Sequence, residues 1–283
     1  MAELFYSATE EYGGQHVRTA LAAFLSRQVV PQLSARLDAA TRRELLSATA
    51  QLTLLLATMC ADSGQDRTTQ HHHQVAARLA VDAHDSTTLA IALRGMAAHA
   101  YDLGYHSTAV LNLAEQAVLH ARYAPPAVQA FTQSHLAVVQ AHHDRHAALA
   151  ALAHAESSYS RADSASGPFT AYPPGALHYQ RARSLTALGD HPGAVRALNT
   201  SLRLRTSDEN RAALLTRAHL AEALLRLGHL EDALSHWQTF LTIYPTLHSS
   251  CAARRLGTLR EQLRPHQRHP QAAALLAQAM LLS

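Results

Sequence analysis

The chain has 283 residues, 48% hydrophobic but only 5% aromatic, a balance that favours helices packed through small side chains over sheets. Its formal charge of +3, from 24 basic against 21 acidic residues, lacks the clustered excess of a nucleic-acid-binding domain. Two cysteines, Cys60 and Cys251, cannot build a disulfide framework, so a reducing, cytoplasmic setting is expected.

The N-terminus, MAELFYSATEEYGG, is acidic and has no apolar run, so it does not read as a signal peptide. About twelve residues precede the first repeat-like helix, which starts near Gln15 and is bent or ended by Pro31. Asp38 reads as the N-cap of a helix that closes at Gly64. Its most apolar stretch, LLSATAQLTLLLATMCA, falls short of the ~20 apolar residues of a spanning helix, and no membrane partner is expected.

Helix pairs then follow at 66–84 and 88–103, 107–122 and 126–142, with one more helix at 146–162. A Ser-, Gly- and Pro-rich stretch near 163–175 reads as a flexible loop. Pairs resume at 176–188 and 192–204, 209–227 and 231–244, and 248–264 and 270–282.

These helices belong to a repeat. Turns centred on Gly64, Gly104, Gly189 and Gly228, with a degenerate copy at His143, lie 39 to 46 residues apart. Seven residues before each glycine stands an alanine: Ala57, Ala97, Ala182 and Ala221. Five residues after three of them stand Ala109, Ala194 and Ala233, and nine after the five turns stand His73, Leu113, Leu152, Leu198 and Trp237. Small residues let two helices approach, and the glycine ends the first in a left-handed turn. Stacked hairpins of this kind make one all-α solenoid spanning residues 1–283, of about six hairpins.

The last full copy, LTRAHLAEALLRLGHLEDALSHWQTFLTIYP, resembles the tetratricopeptide repeats, with Leu220, Ala221, Leu224, Gly228, Ala233, Phe240 and Pro245 at that family's signature spacings. The repeats here are longer than the family's usual length, and the signature Trp of each first helix is missing. The right-handed coil is implied by this resemblance. More narrowly, EYGG near Tyr12, the DSG turn at Gly64 and the LG turn at Gly104 resemble the sensor regions of actinobacterial helix-turn-helix (XRE-type) regulators. That resemblance implies a regulatory role. The DNA-binding domain such regulators carry is not in this sequence, so the expectation is no direct sequence-specific DNA binding and an output through a partner protein.

Histidine numbers 21, which invites a metal hypothesis. The triplet His71-His72-His73 fans over about 200° of a helix and cannot converge on one ion. His73 falls where other copies have Leu or Trp, and packs as a seam residue. The best metal-like set is His99, His135 and His142, without a Cys ligand or paired carboxylate beside it. The series Arg254, Arg255, Arg260, Arg264 and Arg268 reads as a solvated face, and Cys60 as a buried structural thiol. There is no G-x-S-x-G, P-loop or G-x-G-x-x-G.

The concave face is the stronger candidate site. Residues ten, six, three and two before each turn should point inward: Arg94, Tyr101, Asp102, Gln133, Gln140, Tyr179, Arg183, Glu222 and Arg226. Arg forks and Tyr rings suit a carboxylate or peptide end. The expected function is therefore non-enzymatic: binding of a small molecule, peptide or partner protein, without a cofactor, as a monomer or a homodimer. The alternative is an enzyme of specialised metabolism on the same scaffold, using a transition metal held by histidines.

Overall fold

The turn glycines end their helices as the spacing requires. In the computed structural model, which describes residues 2–162 and 170–282, Gly64, Gly104, Gly189 and Gly228 take φ between 71° and 88°. Past each of them an amide reaches back to a carbonyl of the closing helix turn: Gln65 to Cys60, Tyr105 to Ala100, Asp190 to Leu185 and His229 to Leu224, at 2.9–3.0 Å. These bonds satisfy carbonyls that a helix end would otherwise leave bare.

The helices are α1 Ala2–Tyr12, α2 Gly14–Phe24, α3 Val30–Leu33, α4 Ala39–Asp62, α5 Asp66–Asp82, α6 Ser86–Asp102, α7 Thr108–His120, α8 Pro126–Gln140, α9 Arg145–Tyr159, α10 Pro174–Ala187, α11 His191–Leu204, α12 Asn210–Arg226, α13 Leu230–Ile243, α14 Ser250–Leu263 and α15 Pro270–Leu281. No strand occurs among the described residues. Consecutive helices from α4 onward pair as hairpins, α4 with α5 through α14 with α15. The seam alanines Ala57, Ala97, Ala182 and Ala221 are all buried. Forcing a larger side chain into such a seam costs about 1–3 kcal/mol. Ala221→Leu is therefore expected to lower the urea-unfolding free energy by about that amount, and an unchanged midpoint would contradict the register.

Asp38 caps α4, accepting from the amides of Ala40 and Thr41 at 3.0 Å. By length and composition α4 is apolar enough to cross a membrane, yet 56% of its most apolar window is buried inside the fold. His73 packs as its register demands. It is buried, and its ring lies so close to Gly95 on α6 that a Cβ there would come within 2.5 Å of His73 Cε1. His71 is exposed and His72 half-buried, their ring centroids 5.7 Å apart and tilted rather than converging.

Several expectations are corrected. Pro31 neither ends nor sharply breaks its helix: α2 runs into a π-helical turn, Leu25–Val29, and Pro31 lies in the first turn of α3, where its missing N–H is harmless. Ala109 is exposed, because the loop after Gly104 is longer and α7 starts only at Thr108. The buried positions there shift by one, to Val110 and Ala114. Of the loop near 163–175, residues 163–169 lie outside the described residues, while Pro174 and Gly175 already belong to α10.

The largest difference concerns the first twelve residues. Of these, Ala2–Tyr12 form α1, which packs on both α4 and α12. Asp62, at the end of α4 and fully buried, is the joint. It accepts from the Gly14 amide at 2.9 Å and from Ser249 Oγ at 2.6 Å, and pairs with Arg211 at 2.9 Å. Glu10 of α1 pairs with Arg211 at 3.3 Å and accepts from the Ala212 amide at 3.2 Å. The His248 amide donates to the Tyr12 carbonyl at 2.9 Å. The sixth hairpin is thus tied to the first, and the solenoid closes on itself as a ring.

Candidate functional site

Closing the ring divides the expected open groove into chambers that remain partly open to solvent. One, of about 300 Å³, has a mostly apolar wall: Leu54 and Leu55 of α4, Ile91 of α6, Val128 and Phe131 of α8, and Ala176 of α10. Ala2, Tyr6, Thr9 and Glu10 of α1 form another side, and Thr170–Pro173 a third. Tyr172 is buried there, its hydroxyl 2.8 Å from Ser134 Oγ, and burial pushes its pKa up to about 12.

A second chamber, of about 260 Å³, is lined by Arg94, Arg183, Arg205, Arg211, Arg254 and Arg255, with Asp102, His219 and Cys251 among them. Arg94, Tyr179, Gln180, Arg205 and Ala212 line both chambers and form a waist between them. A third cavity, of about 290 Å³, adjoins through Arg183, His219 and Arg255, and adds Tyr101, His142, Glu222 and Arg226.

Most of these arginines are already matched. Arg183 meets Asp102 at 2.5 Å and lies 4.9 Å above the Tyr101 ring. Burial works against its charge, but Asp102, Tyr179 and Tyr101 together outweigh that and raise the Arg183 pKa. Arg205 meets Glu209 at 2.9 Å and Arg255 meets Glu222 at 3.0 Å. Arg211 holds Asp62 and Glu10. Burial alone would raise the Asp62 pKa, but Arg211, Ser249 and the Gly14 amide hold it below the usual carboxylate range.

Arg94 differs. It is half-buried at the waist and has no carboxylate partner among the described residues. Its guanidinium stacks 4.0 Å above the Phe131 ring, and its Nε has no hydrogen-bond partner. Burial lowers its pKa to about 10, which still leaves it charged at neutral pH. Gln180, which lines the same two chambers and is 7% exposed, has an unpartnered Oε1. Buried polar atoms without partners are uncommon in folded proteins, so two at one waist need an explanation.

Of the inward-pointing set, the structure brings Arg94, Asp102, Tyr179 and Arg183 together in the arginine chamber, and Tyr101, Arg183, Glu222 and Arg226 in the cavity beside it. Gln133 and Gln140 are half-buried on α8 and line none of these three cavities. Arg205, Arg211, Phe131 and Gln180 escaped the sequence reading, since that register covered only four positions before each turn. Arg255 was misassigned: it points to Glu222 instead of solvent. Arg260 is likewise no member of a solvated face, because its guanidinium donates to the Ala279 and Leu282 carbonyls. Only Arg254, Arg264 and Arg268 of that series are exposed.

The histidine set is not assembled. Among the described residues no three His, Cys, Asp or Glu side chains are grouped to hold a metal ion. His99 faces Asp66 at 3.6 Å. His135 is fully buried and held neutral, burial pushing its pKa well below 6.5. His142 Nε2 lies 2.8 Å from the Tyr101 hydroxyl, and its ring stacks on His106. Cys60 is buried, and that burial raises its thiol pKa.

No family model matches the chain, and no curated protein matches it. Among solved structures it is similar to TTC0263, a thermophilic TPR protein in Thermus thermophilus, at 20% identity and a TM-score of 0.50, over 74% of this chain and 98% of that one. It also overlays a chain of the APC/C hetero-tetramer Cut9-Hcn1 at 16% identity and a TM-score of 0.48, over 96% of this chain and 47% of that one. The likeness to TTC0263 shows the fold alone: a helical-repeat solenoid like that of a TPR protein.

Proposed function

We propose that the chain is a non-enzymatic binding protein that holds a small anion inside its ring and signals occupancy to a partner protein. The observation that supports this best is Arg94, a desolvated cation without a carboxylate, with an unpartnered Gln180 at the waist of two chambers. A charge in such a place costs stability unless something pairs with it. Every other buried arginine of the arginine chamber has its carboxylate, so the unmatched charge is local and suits a ligand's acidic group. The apolar chamber has the size of a small-molecule site, at the lower end of about 300–1,000 Å³. Occupancy would act on the ring closure itself, since α1 lines the apolar chamber and also carries Glu10 to Arg211. That route to a partner agrees with the regulatory role implied by the resemblance to regulator sensor regions.

The test is a thermal-shift panel of carboxylic acids on the wild type and Arg94→Met, which keeps the stem on Phe131 and removes the charge. A charge-assisted hydrogen bond contributes about 1.5–3 kcal/mol, so affinity should fall about ten- to a hundredfold. The unliganded melting temperature should stay level or rise, because an unpaired half-buried charge has been removed. If no acid stabilises the wild type, or if all stabilise the variant equally, the reading is wrong.

A further inference from the structure

Resting on that reading, the geometry points to a more definite ligand: an amphiphilic monocarboxylate of the fatty-acid kind, its head at Arg94 and its chain in the apolar chamber. The two chambers meet at one waist but differ in chemistry. On one side stand Leu54, Leu55, Ile91, Val128 and Phe131, which offer a chain only hydrocarbon contact. On the other stands the arginine chamber. A molecule spanning the waist therefore needs an apolar body and an anionic end.

The charge count sets the head at one negative charge. Arg205, the other arginine at the waist, is held by Glu209, and Arg183 beyond it is held by Asp102. Arg254 has no carboxylate among the described residues either, but it is exposed and away from the waist. One free half-buried cation fits one carboxylate. Gln180 supplies the second polar contact: with its amide turned so that the NH₂ faces the head, it donates to the second carboxylate oxygen. A peptide end would suit the head equally well, but its buried amides need partners along their length. Tyr6, Thr9, Glu10, Thr58 and Glu209 stand elsewhere on the chamber wall, but a chain laid along the face of Leu54, Leu55, Ile91, Val128 and Phe131 finds no such partner, which favours hydrocarbon.

Calorimetric titration of the full chain with decanoate, decanol, citrate and trileucine tests this, using the wild type, Arg94→Met and Thr58→Trp. Thr58 is an exposed residue on the chamber wall, so the indole fills the chamber without entering the core. Decanoate should bind the wild type and weaken at least tenfold in either variant. Decanol should bind more weakly than decanoate, equally to wild type and Arg94→Met. Decanoate affinity unchanged by Arg94→Met, or unchanged by Thr58→Trp, would overturn the assignment. Citrate binding that depends on Arg94, without decanoate binding, would leave the anion reading standing and sink the amphiphile. Trileucine binding more tightly than decanoate would assign the chamber to peptide ends instead. No binding of any of the four would sink both.

Discussion

Asp62→Ala is expected to lower the unfolding free energy by about 3–5 kcal/mol, the cost of breaking a buried ion pair by removing one partner. Asp62 is fully buried and serves three groups at once: the Gly14 amide of α2, Ser249 before α14, and Arg211 at the start of α12. Its loss leaves Arg211 with Glu10 alone and removes the direct polar tie from α4 to Ser249 and Arg211. The individual hairpins keep their seams, so helical circular dichroism should persist below the transition while the urea midpoint moves down. A drop under about 1 kcal/mol would mean that the joint contributes no more than a surface pair.

Stability should also fall as the solution is acidified from about pH 7 to about pH 5, and His73 should account for about 2 kcal/mol of the fall. Burial, helped by the nearby positive charges of His99, Arg94 and His72, lowers the His73 pKa from 6.5 to about 4. In the unfolded chain the imidazole takes up its proton near pH 6.5; in the fold it stays neutral until about pH 4. Between those values the unfolded state binds more protons, so protonation favours unfolding. The contribution is absent above about pH 7 and fully expressed below about pH 4. His135 pulls in the same direction, its pKa also depressed by burial. His73→Leu places the residue that two other repeats carry at this position, Leu152 and Leu198. Urea unfolding of this variant should show a flatter pH profile, with no loss at about pH 7. A slope equal to that of the wild type would contradict a buried, neutral His73.

The fold was largely legible because each hairpin repeats one local solution: a small residue, a left-handed glycine, a small residue. Where that solution drifted, the reading failed by one position, as at Ala109. The site was legible in part. Spacing from the turn glycine located Arg94, Tyr101, Tyr179 and Arg183 on the inner wall, because helical period fixes which way a side chain points. It could not say that Arg183 is neutralised by Asp102 and Arg94 is not, since that depends on contacts between hairpins far apart in sequence. Ring closure was invisible for the same reason. Asp62 and Arg211 meet across 149 positions, and neither stands out within its own helix. The α1 helix carries no repeat signature, so a search for repeats passed over the element that walls one side of the chamber.

The claim on which the rest depends is that the site lies inside a closed ring, and hydrogen exchange at two backbone amides tests it most directly. Gly14 begins a helix and His248 lies between helices, so neither amide has a helical partner. His248 is bonded across the joint to the Tyr12 carbonyl, and Gly14 to Asp62, the carboxylate at the joint. The account predicts that both exchange slowly, at rates near those of amides inside α12, and that Asp62→Ala makes both fast. Exchange of both at the rate of an unstructured peptide in the wild type, with α12 still protected, would contradict it.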